Sequence, residues 1–390
     1  MGRGRSRLNR LVRLAGAAAM AAALAACAQT VPRPTPITQA PTLAPNAPTR
    51  PDDGVLRVGL LLPLSGGSAS LGEAMQRAAQ MAVFDTGTQV ELLPRDTGDN
   101  PATAGEAARS VIAQGADIIL GPLFSKSVSP VAQQARSAGI NVVAFSTDTA
   151  QAGGNVFLMS FLPQQAIDRI VGYGASQGMR RFALLAPRSA YGQIVSRALT
   201  EAAVKYNVEA PVIELYDSKL SDPTELQQKL QATQVDAVIV ADVGNRLSVV
   251  APMLGYSGIT AKLMGTGQWD DPQVNRQSYL AGAWYAAPDP SRRADFESRY
   301  AQQFGGPPPR LATLAYDAVA LTASLASQPA SGNPFNATAL QDPNGFVGID
   351  GIFRFGPNGL VQRGLAVLEA QPTGPTVVES APDSFSGAAF

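Results

Sequence analysis

From Val55 onward, short apolar runs alternate with segments whose apolar residues recur every three or four positions. The first pattern predicts buried strands, the second helices with one buried face. Leu56 to Leu62 reads as a strand that ends in a loop over Pro63 to Ser68. Leu71, Met75, Ala78, Ala79, Ala82 and Val83 then share one helical face. Val90 to Leu93 predicts a second strand, and Asp99-Asn100-Pro101 opens a helix with a capping side chain beside a first-turn proline. Asp117 to Leu120 and Val142 to Phe145 follow as strands, with a helix over Val128 to Ala138 between them. A second series runs through Phe182 to Ala186, Val212 to Leu215, Ala237 to Val240 and Leu263 to Met264.

Strands alternating with helices imply parallel sheets covered on both faces, and two successive series imply two lobes. The chain end breaks the pattern. Phe353 to Gly359, followed by Gly364 to Glu369, predicts an antiparallel hairpin. Residues after Gln371 read as a poorly ordered tail. With 390 residues, 45% hydrophobic and 15% charged, each lobe is large enough to bury a core.

Charge changes the picture at the start of the chain. Lysine plus arginine and aspartate plus glutamate number 30 each, but Arg3, Arg5, Arg7, Arg10 and Arg13 precede Cys27 with no acid among them. An apolar run from Leu14 to Ala26 follows, too short to span a bilayer and suited to a signal peptide. Leu24-Ala25-Ala26-Cys27 resembles the bacterial lipobox, which implies a lipidated Cys27 and cleavage before it. Ala28, where a retention signal would place aspartate, implies the outer membrane. Seven prolines between Ala28 and Gly54 then make an extended tether reaching on the order of 80 Å, at about 3.1 Å per residue. Lipid chains would hold the protein to the membrane without a spanning helix.

What remains after the signal segment is acidic and carries no basic stripe, which argues against nucleic acid as a partner. The chain has no histidine and one cysteine. Imidazole metal sites, Ser-His-Asp and Cys-His catalysis, thiolate zinc sites and internal disulfides are thereby excluded. No metal or cofactor is expected. Gly174-Ala175-Ser176-Gln177-Gly178 has the letters of a nucleophile elbow, but a helix precedes it and a strand follows, so it reads as a helix stop. Acid pairs such as Asp96 with Asp99, or Asp270 with Asp271, read as turn and cap residues rather than glycosidase carboxylates. The protein is expected not to be an enzyme.

Ligands of open parallel sheets bind beyond the carboxyl ends of the strands. Here those ends carry small hydroxyl and amide groups: Ser65-Gly66-Gly67-Ser68, Ser125-Lys126-Ser127 and Ser146-Thr147-Asp148 in the first series. The second offers Ser189-Ala190-Tyr191-Gly192, Asp242 to Asn245 and Thr266-Gly267-Gln268-Trp269-Asp270. Such groups either cap the next helix or hold a small polar ligand. Tyr191 and Trp269 would add flat apolar contact.

LRVGLLLPLSG from Leu56, GPLFS from Gly121 and SAYG from Ser189 resemble the type I periplasmic binding proteins, in their leucine-binding branch. The resemblance implies two doubly wound lobes joined by three crossovers and closing on a ligand. It implies contacts from Ser125 or Ser127, Thr147, Tyr191 and the Gln268-Trp269 loop. Where amino-acid binders of that branch carry an acid for the ligand ammonium, this chain has Gly267. Longer strings are similar to lipoproteins known as penicillin-binding protein activators: LLPRDTGDNP from Leu92, AFSTD from Ala144, GTGQWDDP from Gly265, LAYDAVAL from Leu314 and FRFGPNGLVQRGLAVLE from Phe353. That similarity implies a regulator of a peptidoglycan synthase, a class A penicillin-binding protein. The wider family implies instead the substrate-binding component of an ABC importer for amino acids or similar small polar ligands, with a permease as partner.

The expected organisation is a signal peptide over 1–26, lipidated Cys27 and tether over 27–54, and lobe 1 over 55–161 and again 288–348. Lobe 2 takes 162–287, the hairpin and the end of lobe 2 take 349–370, and 371–390 is the tail. Candidate ligand residues are Ser65, Ser125, Ser127, Ser146, Thr147, Tyr191, Gln268 and Trp269.

Overall fold

A computed structural model describes residues 55–87, 90–217, 224–256, 258–328 and 333–386. The signal segment, Cys27 and the tether lie outside the described residues. The first sheet holds β1 (Leu56–Leu62), β2 (Val90–Asp96), β3 (Ile118–Leu120), β4 (Val142–Ala144) and β5 (Val156–Leu158). Its order is β2-β1-β3-β4-β5 and every pairing is parallel. Helices α1 (Ala69–Thr86), α2 (Pro101–Ala113) and α3 (Ser125–Ser137) connect its first four strands. The Asn100 side chain accepts from the Ala102 amide with Pro101 in the first turn, as the sequence pattern predicts for this cap.

The second sheet repeats the plan with β6 (Phe182–Pro187), β7 (Val212–Tyr216), β8 (Ala237–Val240), β9 (Lys262–Gly265) and β10 (Trp284–Ala287). Around these strands lie α4 (Pro163–Ser176), α5 (Ala190–Lys205), α6 (Thr224–Ala232) and α7 (Gly244–Tyr256), with one turn of helix, α8 (Pro272–Asn275), after β9. The five strands are parallel in the order β10-β9-β8-β6-β7.

The two lobes share one local device. A Cβ on Gly72 would lie 2.0 Å from the Pro63 carbonyl oxygen, and one on Gly192 would lie 2.0 Å from that of Pro187. In each lobe the helix after the first strand therefore starts against a proline carbonyl at or just beyond that strand's end, an approach only glycine permits.

Lobe 1 is completed from the far end of the chain. Helices α9 (Pro290–Phe304) and α10 (Ala312–Ala326) return to pack on α1, through Phe296 and Tyr300 against Ala74 and Ala78, and through Leu314 and Ala318 against Met75 and Ala79. A short helix, α11 (Ala337–Leu340), leads to a three-stranded antiparallel sheet of β11 (Phe346–Gly348), β12 (Gly351–Phe355) and β13 (Val361–Arg363). Phe353, Phe355 and Val361 enter the lobe 1 core, and Phe355 meets Phe157 edge to face at 5.4 Å. Burying each ring contributes about 1.5–3 kcal/mol, which fixes this hairpin to lobe 1.

Two expectations for the chain end are corrected. The strand returning from β12 is Val361–Arg363, not Gly364 to Glu369. Instead β14 (Ala366–Glu369) crosses to lobe 2 and pairs antiparallel with β10. Ala366, Val367 and Leu368 are buried in succession, as befits a strand covered on both faces rather than a hairpin arm. Nor is the tail poorly ordered throughout. β15 (Thr376–Glu379) adds an edge to the same sheet, and the chain then returns to lobe 1. There Asp383 pairs with Arg292, and the buried Phe385 ring lies under the Arg354 guanidinium at 4.4 Å. Because every side chain of β15 is exposed, its sequence carries no apolar periodicity to announce it.

Candidate ligand cleft and its hinge

The chain passes between the lobes after β5, after β10 and after β13, and once more after β15. The first three passages converge on one network of ion pairs and rings. Phe161, on the first passage, has the Arg310 guanidinium 4.1 Å from its ring centroid and that of Arg363 at 4.9 Å. The Nε of Arg363, at the third passage, donates to the Ser160 carbonyl on the first. The Gln165 side chain donates to the Val361 carbonyl and accepts from the Arg363 amide. Arg169 donates to the Leu365 carbonyl at 2.8 Å.

Asp270, in the loop after β9 of lobe 2, is the central acid. Its carboxylate accepts from both terminal nitrogens of Arg293, at 2.6 and 3.1 Å, and from Arg310 Nε at 2.6 Å. Arg293 and Arg310 belong to lobe 1, so this carboxylate ties the lobes together. Asp350 accepts from the other two guanidinium nitrogens of Arg310 at 2.8 and 3.1 Å. Burial opposes the Arg310 charge, but Asp350 and Asp270 override it and hold the guanidinium above its ordinary range. Burial likewise penalises Asp350, yet Arg310 and Arg363 keep its carboxyl below the usual range. Asp270 does close the turn over Gly267–Trp269, as expected, through its amide to the Gly267 carbonyl at 3.2 Å, but its side chain carries these ion pairs besides, while Asp271 caps α8 through its bond from the Gln273 amide at 2.7 Å.

Beside this hinge lies a cavity of about 800 Å³, walled mainly by lobe 2. Thr147, Tyr191 and Gln268 line it; Ser65, Ser125, Ser127, Ser146 and Trp269 do not. Ser65 is exposed at the end of β1 and Ser125 begins α3. Ser127 is buried in the first turn of α3, and Ser146 spends its hydroxyl on the Asp148 amide. The Tyr191 hydroxyl donates to Thr266 Oγ1 at 2.8 Å. Burial pushes that phenol up to about 12, against the Thr266 hydrogen bond and with the Asp242 charge adding to it.

Trp269 is 0% exposed and does not line this cavity. Its indole N–H donates to the Asp242 carbonyl at 3.0 Å, and its ring fills the space above Gly265, where a Cβ would come within 2.1 Å. The ring props the loop from below, because a buried indole needs both a partner for its N–H and room for its face. Asp242 is itself held, by Tyr216 at 2.7 Å and by Arg246 through two bonds. Side-chain bonds thus tie the loop after β8 to the loop after β9. No cluster of ligands for a metal ion occurs among the described residues, and none of their helices is long and apolar enough to cross a membrane.

The profile of the periplasmic binding proteins matches residues 55–375, and the chain belongs to that family. Its fold is the two-lobed type I arrangement of the leucine-binding-like branch. A proposed branched-chain amino acid ABC transporter of Rhodospirillum rubrum superposes with a TM-score of 0.76 at 18% identity, over 83% of this chain and all of that one. In sequence, the penicillin-binding protein activator LpoA of Glaesserella parasuis is 28% identical over 145 residues, 37% of this chain and 24% of that protein. The uncharacterized protein RP748 of Rickettsia prowazekii is 22% identical over 185 residues, 47% of this chain and 49% of that one. The chain thus spans half or less of the length of the curated relatives it matches.

Proposed function

We propose that the protein is a non-catalytic periplasmic lipoprotein that regulates a peptidoglycan synthase, in the manner of a penicillin-binding protein activator. The observation that carries this reading is the ion-paired hinge. A receptor that captures and releases a metabolite gains from lobes that swing apart, whereas Asp270 draws two lobe 1 guanidiniums onto one lobe 2 carboxylate. That arrangement favours one interlobe angle and suits a domain presenting a fixed face to a protein partner. The local similarity to an activator supports it. In cells, photo-crosslinkers placed on exposed lobe surfaces should capture a class A penicillin-binding protein. Crosslinks to an ABC permease and to no synthase would transfer the role to the importer reading, which the fold likeness to a transporter protein favours.

The same proposal places the domain on a lipid anchor at Cys27, on the outer membrane, at the end of its proline-rich tether. Cys27→Ala should move the protein from the detergent phase to the aqueous phase, or leave an uncleaved precursor. Equal partitioning of the two forms would remove the anchor from the proposal.

A further inference from the structure

Two residues of opposite charge lie buried beside the hinge with hydrogen-bonding atoms left over. Asp317 in α10 is 1% exposed, and its Oδ2 has no partner among the described residues. Arg363 at the end of β13 is 3% exposed, and neither of its terminal nitrogens has one. Each feels the charge of the other, yet the two are not bonded. Buried polar atoms are seldom left in this state, because each such atom is penalised for the water it has lost.

The surroundings of Asp317 are built around its carboxyl. Oδ1 accepts from the Ile349 amide at 2.7 Å, and a Cβ on Gly348 would strike both oxygens. The charged groups that face it are Asp350, in the turn before β12, and Arg363. Asp350 accepts from Arg310 on both oxygens, so that guanidinium is already paired. The helices packed on α10 direct their charges elsewhere. On α1, Glu73 pairs with Arg77, and Asp85 takes Arg299 of α9 together with the Tyr316 hydroxyl. Arg293 of α9 holds Asp270 and Glu297. Arg363 is therefore the guanidinium within reach of Asp317 that still has nitrogens to give.

In the structure Arg363 is turned to the hinge instead. Its Nε donates to the Ser160 carbonyl at 3.2 Å, and its guanidinium lies 4.9 Å from the Phe161 ring centroid. We propose that Arg363 is a switch: it ties the third interlobe passage to the first while Asp317 is neutral, and turns to Asp317 when that carboxyl ionises. This rests on reading the hinge as fixed, and it specifies the condition under which the hinge is fixed. A buried carboxylate with no partner is strongly disfavoured, and pairing with Arg363 relieves it. The same movement takes the guanidinium off Ser160 and Phe161, so the third passage loses one of its ties. Burial, with the Asp350 charge adding to it, holds the Asp317 carboxyl up at about 7 against the pull of Arg363. The neutral form therefore prevails below that value and the charged form above it. The chain has no histidine, so no imidazole titrates in the same range.

The test is the distance between spin labels on α1 and α5 of the whole chain, followed from pH 5.5 to pH 8.5. In the wild type the distribution should be narrow at the acid end and broaden with a midpoint near pH 7. Asp317→Asn, which cannot ionise, should keep it narrow throughout. Arg363→Lys keeps the charge but lacks the Nε–H that reaches Ser160, so at pH 5.5 it should be as broad as the wild type at pH 8.5. A wild-type distribution narrow at every pH would overturn the switch and leave the fixed hinge standing. One broad at every pH would overturn the fixed hinge, and the switch with it. A pH response that survives in Asp317→Asn would overturn the assignment to Asp317, and a narrow distribution in Arg363→Lys at pH 5.5 would overturn Arg363 as the tie.

Discussion

Asp270→Asn should destabilise the domain by about 3–5 kcal/mol, the usual cost of removing one partner from a buried ion pair. Asparagine keeps the volume, but it turns an amide toward Arg293 or Arg310 and leaves two guanidiniums facing each other across the hinge. Arg293 is 7% exposed, so water cannot take over the lost interactions. The substitution should also loosen the lobes. Distances between spin labels placed on α1 and α5 should broaden in the variant and stay narrow in the wild type. Urea melts that shift by under 1 kcal/mol, with unchanged distance distributions, would show that Asp270 does not tie the lobes.

A second large effect is expected from Asp317 in α10, and it depends on pH. Burial, with the Asp350 charge beside it, pushes this carboxyl up to about 7, against the opposing effect of Arg363. Its Oδ1 accepts from the Ile349 amide, while Oδ2 is buried with no hydrogen-bond partner. Because the folded value lies above the ordinary 3.8, the unfolded chain gives up this proton first as pH rises. Asp317 therefore costs nothing below about pH 4 and subtracts stability progressively up to about pH 7. Asp317→Asn keeps the bond from Ile349 and removes the ionisation. It should gain on the order of 2–4 kcal/mol at pH 7.5 relative to its effect at pH 4.5, following 1.36 kcal/mol per pH unit. Denaturant melts at the two pH values give the comparison. An offset equal at both would mean that the folded protein holds Asp317 at its ordinary value, fully charged at neutral pH.

The repeated strand-helix units were legible because their strands are covered on both faces. Leu56 to Leu62 and Ala237 to Val240 are runs that only a buried strand explains. β5 and β10 escape the same reading. The sequence points Trp269 to the cleft because its loop follows a strand end, as binding residues do. The available hint was Gly265, four residues earlier, which makes room for an inward ring. The hinge network had no local signal at all. Its contacts join residues 23, 40 and 203 positions apart, and no periodicity relates them. Of the predicted ligand residues, Thr147, Tyr191 and Gln268 share the cavity, and the serines of lobe 1 stand apart from it.

Lobe 1 is assembled from both ends of the chain, and this sets the order in which the protein can mature. Its sheet is made by residue 158, yet α10 and the rings of Phe353 and Phe355 that cover it are encoded some 150 to 200 positions later. During synthesis the first half emerges with one apolar face uncovered, and contacts of such separation close slowly. Lobe 1 of such a chain cannot complete its core until the residues of α10 and β12 are made. Delay of that kind is a liability in a crowded cytosol, but it keeps a polypeptide threadable through a narrow translocation pore.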